Sequence, residues 1–230
     1  MTTQLALNIS LDDHCTFSNF LPGINQEALH FFQQFCNQEN EYFAYLWGPA
    51  SSGKSHILQA CCHETQRQQR SAFYLSATDP ALTDPAILEG LDNYNLVCLD
   101  NLDRLVGQDL WEEKIFHFYN SIREKKHRLI VAAHCTATQL KCQLDDLSSR
   151  LSWGAIFQLK TLNDEEKIQA LTLRAHNRGL DLPKETAQYI LNRVPRDLAS
   201  LFKVLDKLDD ASFITQRRLT IPLAKQTLFD

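Results

Sequence analysis

The sequence predicts an α/β fold: a parallel five-stranded sheet flanked by helices, followed by a small all-helical lid. Three observations predict it. Short apolar runs alternate with helical stripes between residues 41 and 161, the order that builds parallel sheets. A glycine-bounded loop joins the first run to the first stripe. Beyond Leu162 the strand signals stop, while helical stripes continue.

Residues 1–15 are short and polar with alternating leucines, and they read as an arm. The first strand is the apolar, aromatic run 42–47, which ends at Gly48. The loop 48–53 follows, and 54–66 reads as a helix. Residues 71–75 form a second strand. Residues 96–100 form a third, continuously apolar and so buried on both faces. Residues 110–123 read as a helix with Ile115, Phe118, Tyr119 and Ile122 on one stripe. Runs 128–133 and 155–159 complete the five strands. In the lid, Asn163-Asp164-Glu165-Glu166 is a helix start with a capping box. Ile168, Leu171 and Ala175 form its stripe, and Gly179 follows its end. Pro183 opens the next helix, which stops before Pro195. Leu198, Leu201, Phe202, Leu205 and Leu208 define a third, and Pro222 suits the first turn of a short last one. The expected divisions are an arm at 1–15, an α/β core at 16–161 and a lid at 162–230.

Composition narrows the function. The formal net charge is −5, which does not indicate a tight, sequence-independent grip on nucleic acid. Seven cysteines show no C-x-x-C spacing and are expected to be free thiols in a reducing cytosol. No signal peptide or membrane-spanning stretch appears, so the expected place is cytoplasmic, with no membrane partner.

Gly48-Pro49-Ala50-Ser51-Ser52-Gly53-Lys54-Ser55 matches the P-loop pattern G-x-x-x-x-G-K-[ST]. Its glycines let the backbone wrap a phosphate while successive N–H groups point inward. The helix beginning near Lys54 adds its N-terminal dipole. Lys54 reaches the β- and γ-phosphates, and the Ser55 hydroxyl binds Mg²⁺. Asp100 ends the buried third strand, where an acid can hold Mg²⁺ through water; alone such an acid is more often a turn former, but its place about 45 residues after the P-loop favours the metal role. The next residue, where many ATPases carry a water-activating carboxylate, is Asn101, which cannot accept a proton. Little self-hydrolysis is therefore expected. Asp103 is expected to point elsewhere.

These motifs are joined by dispersed segments: Thr16-Phe17-Ser18-Asn19-Phe20 with Pro22-Gly23, Gly53-Lys54-Ser55-His56, Leu99-Asp100-Asn101-Leu102, Ser149-Arg150-Leu151-Ser152-Trp153-Gly154 and Pro195-Arg196-Asp197-Leu198. In order and spacing the whole chain resembles the AAA+ module of the DnaA-like family, which holds the bacterial initiator DnaA and its short Hda-type regulatory inactivators. The resemblance implies a nucleotide site of ADP (or ATP) with Mg²⁺, lined by the P-loop with His56, Asp100, Phe17, Phe20 and Pro22. It places an arginine finger at Arg150, acting in trans, and a nucleotide-contacting lid arginine at Arg196. Packing onto the core remains the alternative for Phe17, Phe20 and Pro22, a surface role for Arg150, and a lid salt bridge for Arg196. Gln4-Leu5-Ala6-Leu7-Asn8-Ile9 resembles the family's sliding-clamp-binding hexapeptide: Gln4 bonds within a pocket while Leu5, Leu7 and Ile9 supply apolar contacts. Asn8 replaces the proline often seen there. His134 departs from the family's small polar or Gly-Asp pattern at the tip of the fourth strand. No helix-turn-helix follows the lid in this sequence, so a specific DNA site is not expected.

The favoured expectation is a regulator whose partners are DnaA and the DNA polymerase III sliding clamp (beta subunit). It would bind ADP, dock on the DNA-loaded clamp and trigger hydrolysis of ATP held by DnaA. Two others remain: a DNA-stimulated AAA+ ATPase such as a helicase loader, and a clamp adaptor whose nucleotide is structural. The sequence leaves a homodimer open.

Overall fold

The structure is a computed structural model that describes residues 11–12, 15–37, 41–80 and 82–229. The hexapeptide Gln4 to Ile9 lies outside the described residues. The chain divides into two compact units, residues 1–18 with 25–160 and residues 19–24 with 161–230.

The first unit holds β1 (Phe43–Trp47), β2 (Ala72–Ser76), β3 (Leu96–Asp100), β4 (Arg128–Ala133) and β5 (Ala155–Gln158). They form one sheet in the order β2-β3-β4-β1-β5, and every pairing is parallel. The central strands β3 and β4 are buried at every residue, while the edge strands β2 and β5 are only partly covered. Helices on both faces cause this, because a parallel sheet needs crossovers that shield it twice. On one face, Val97, Leu99, Leu129 and Val131 pack in one cluster with Trp111, Ile115, Phe118 and Tyr119 of α3 (Asp109–Glu124) and with Leu147 and Leu151 of α4 (Asp145–Leu151). α2 (Lys54–Arg67) packs against β2 and β3, and the Cys98 Sγ donates to the Leu58 carbonyl at 3.5 Å.

One helix that the strand–loop–helix pattern does not announce precedes the first strand: α1 (Gln26–Phe35). Its buried residues Ala28, Leu29, Phe32 and Phe35 form a helical stripe. Phe31 and Phe32 set their rings against Phe157 of β5, with centroids 4.5 and 5.8 Å apart. All seven cysteines are free. Burial pushes the Cys61 and Cys98 thiols well up, so they stay protonated and unreactive.

The second unit is helical: α5 (Asp164–Asn177), α6 (Lys184–Leu191), α7 (Leu198–Thr215) and α8 (Ile221–Phe229). The capping box closes as the sequence predicts: Glu166 N donates to Asn163 Oδ1 at 2.9 Å, and Asn163 N donates to Glu166 Oε2 at 2.8 Å. Gly179 ends α5 with a φ of +75° that suits glycine. Asp197 caps α7 by accepting from Ser200 N at 2.8 Å. The predicted stripe of Ile168, Leu171 and Ala175 is buried with Leu201, Leu205 and Leu208 in one core.

Candidate functional site

Parallel strands bring all their carboxyl ends to one edge of the sheet, where the loops after β1, β3 and β4 can meet. β1 lies between β4 and β5, so the loop after Trp47 leaves from inside that edge, beside the end of β4. Gly48 N donates to the Ala133 carbonyl at 3.3 Å. A Cβ on Gly48 would land on the Leu159 carbonyl oxygen, so only glycine passes there. Ser51 and Gly53 adopt left-handed φ of 58° and 96°, which turn the chain into a concave loop. The Ser52 hydroxyl is buried without a hydrogen-bond partner among the described residues. The Lys54 ammonium folds back onto the Gly48 and Pro49 carbonyls at 2.8 and 2.9 Å. Burial holds it below its ordinary range, and the charges of Asp100 and Asp103 partly offset this. An unsatisfied hydroxyl, a desolvated cation and a left-handed turn at a helix start fit an anionic phosphate.

Asp100 stands at the end of β3 as expected and is buried. Its Oδ2 accepts from the Ser55 hydroxyl at 2.5 Å and from the Tyr74 phenol at 2.8 Å. Its Oδ1 accepts from Asn101 N at 2.9 Å. Burial, reinforced by the Asp100 charge, pushes the Tyr74 phenol far up, so it remains a donor. Ser55 and Asp100 thus stand paired as the hydroxyl and carboxylate that would hold Mg²⁺ beside a nucleotide. Asn101 adopts a φ of +58° and turns its amide to Ser76 Oγ at 3.2 Å.

Sequence reasoning missed Tyr74 and left Asp103 pointing elsewhere. Asp103 Oδ1 accepts from His134 N at 3.0 Å, and Oδ2 lies 3.0 Å from His134 Nδ1. His134 follows Ala133, whose carbonyl receives Gly48 N, so this pair borders the phosphate loop. Asp103 sits in the short turn Leu102–Arg104 after β3, which the sequence does not announce. No one-dimensional cue marks Tyr74, whose contact depends on the register of β2 against β3.

The other predicted residues are placed as follows. His56 Nε2 bonds the Thr16 carbonyl at 2.8 Å, which anchors the segment before Phe17 to α2. Phe17 is half-buried in the first unit. Phe20, buried, and Pro22, half-buried, belong to the helical unit. Arg196 is exposed and pairs with Asp164 Oδ2 at 2.7 Å within that unit. Arg150 lies in the last turn of α4, half-buried, with its guanidinium 5.9 Å from the Phe116 ring centroid. Among the described residues its Nε has no hydrogen-bond partner, and the guanidinium makes no ion pair. Trp153 beside it is 64% exposed under Arg123, and Gly154 follows with a φ of +97°.

A phosphate loop after the interior strand β1, an acid ending β3, the 2-3-4-1-5 order and a helical second unit define a P-loop protein of the AAA+ class. The family model for the bacterial DnaA ATPase domain matches residues 11–158, and that for the Hda lid domain matches residues 164–228. The chain belongs to the bacterial DnaA ATPase-domain family, as an Hda/DnaA-like AAA+ protein and a DnaA-related replication regulator. Domain III of the Thermotoga maritima replication initiation protein DnaA is similar to it with a TM-score of 0.80 at 18% identity, over 95% of this chain and 97% of that one. AMPPCP-bound DnaA from Aquifex aeolicus matches with a TM-score of 0.72 at 21% identity, over 86% of this chain and 66% of that longer one. The Thermotoga maritima RuvB Holliday junction branch migration motor reaches a TM-score of 0.63 at 16% identity, over 89% and 68%. At such identities these likenesses show the fold alone. No helix among the described residues is long and apolar enough to cross a membrane.

Proposed function

We propose that this chain restrains chromosome replication by inactivating DnaA. It binds ADP with Mg²⁺ through Gly48–Ser55 and Asp100, docks on the DNA-loaded sliding clamp, and stimulates hydrolysis of ATP bound to DnaA. Arg150 acts as the finger, offsetting charge that develops on the phosphoryl group held by its neighbour. The clamp contact falls to Gln4, Leu5, Leu7 and Ile9, on their resemblance to the clamp-binding hexapeptide. Arg196 would leave Asp164 to reach the nucleotide from the lid.

The observation that carries this proposal is the state of Arg150. Among the described residues Arg150 has no ion pair and an unsatisfied Nε, and it ends a helix beside an exposed Trp153, so its charge is available to a partner. Asn101 supports the same assignment of roles, because its amide is engaged by Ser76 and can take no proton.

The test is hydrolysis of ATP pre-bound to purified DnaA, in the presence of this protein, ADP and DNA-loaded clamp, each also omitted in turn. Acceleration that needs every component supports the proposal. No acceleration, with DNA-stimulated turnover by this chain itself, would replace it with the helicase-loader class of ATPase.

A further inference from the structure

We infer that Tyr74 is a positioning residue for the metal-holding carboxylate: its phenol keeps Asp100 aimed at Ser55 and the phosphate loop when a magnesium–nucleotide complex binds. This rests on the nucleotide site proposed above.

The geometry begins with register. Tyr74 pairs with Cys98, and Asp100 lies two residues further along β3 on the same face. A diagonal neighbour at that spacing is within reach of a long aromatic side chain, and the phenol arrives at Asp100 Oδ2 at 2.8 Å. A phenylalanine here would pack equally well on the edge strand but would offer no donor.

The donors on Asp100 explain why this bond matters. Oδ1 is fixed by the backbone N–H of Asn101. Oδ2 is shared by the Ser55 and Tyr74 hydroxyls. Ser55 is the hydroxyl that Mg²⁺ would draw to itself, so its bond to Asp100 is the one at risk on binding. The terminal torsion of an aspartate is broad and is held only by its partners. With Ser55 committed to the cation, Tyr74 is the remaining side-chain donor on Oδ2 among the described residues and keeps the carboxylate facing the metal's water shell.

The experiment measures the affinity of a fluorescent ADP analogue in Mg²⁺ and in EDTA, for the wild type and Tyr74→Phe. The gain in affinity that Mg²⁺ supplies should fall about tenfold in Tyr74→Phe, while affinity in EDTA and the unfolding temperature stay level. A merely structural tyrosine would lower both affinities together. An equal magnesium gain in the two proteins would overturn the inference, as would a larger gain in Tyr74→Phe, which would mean that the phenol competes with the cation. In an Asp100→Asn background, Tyr74→Phe should add nothing; an additive loss there counts against it. A wild type whose ADP affinity ignores Mg²⁺ would sink the metal site itself and this inference with it, an outcome distinct from failure of Tyr74 alone.

Discussion

Gly48 and Lys54 each depend on a single geometric fact. Gly48 has no room for a side chain, because the Leu159 carbonyl occupies the place of its Cβ. Gly48→Ala is expected to open the phosphate loop and abolish ADP binding, read by fluorescence titration, while far-UV circular dichroism keeps the helical signal. Lys54 is partly desolvated and, among the described residues, bonded only to loop carbonyls, so phosphate is a better partner than its present ones. Lys54→Ala should weaken ADP binding by roughly 10- to 100-fold, the value of one charge-assisted hydrogen bond. Much of this site was legible in the sequence, because a phosphate loop and a strand-ending acid are local patterns with local causes. Tyr74 and the Asp103–His134 pair were not, since both join residues distant in the chain through strand register and turn geometry. His56 adjoins the motif, and its Nε2 bonds the Thr16 carbonyl, a contact that no local pattern announces.

Among the elements, α4 matters most, because it carries Arg150, and its start is held by one buried carboxylate. Glu112 of α3 accepts from Gly107 N at 2.7 Å and from Gln143 N and Leu144 N at 2.8 Å each. Removing it would orphan three N–H groups, so Glu112→Ala should cost on the order of 3 kcal/mol in denaturant unfolding. Asp92 similarly ties a short turn to α3 through Lys125 and Ser121. Those bonds, Lys125 first, hold its carboxyl below the ordinary carboxylate range. A depressed carboxyl stabilises the fold when ionised, so its contribution is present above about pH 4 and is lost as pH falls below that. Wild type and Asp92→Asn should therefore differ at neutral pH and converge in acid, as followed by urea unfolding at several pH values. The strands and lid helices were readable because apolar period and caps agree, as at Asn163 and Glu166. α1 carries an equally regular buried stripe, but its N-cap Asn25 makes no side-chain cap bond and instead spans to Lys160. Without a start signal, and with aromatic residues crowding the window, the helix was hidden in the sequence.

For the whole molecule, the proposed division of labour separates holding a nucleotide from spending one. A chain that acts by lending Arg150 should lose its effect, but none of its contacts elsewhere, when that side chain is removed. The proposed finger, Arg150, lies on α4, whereas the phosphate loop follows β1, and the clamp-type hexapeptide is at the other end of the first unit's sequence. Arg150→Ala is therefore expected to bind ADP and loaded clamp like the wild type, yet to leave DnaA-bound ATP intact. Because arginine fingers contribute roughly 10³- to 10⁵-fold to phosphoryl transfer, the loss of stimulation should be close to complete. Its second consequence is competitive. Added in molar excess over wild type, the variant should occupy the clamp and slow hydrolysis on DnaA, and removal of Gln4 and Leu7 from the variant should relieve that block. Stimulation undiminished by Arg150→Ala would place the activating group elsewhere. A variant that fails to compete would separate clamp docking from activation and leave the hexapeptide without its proposed part.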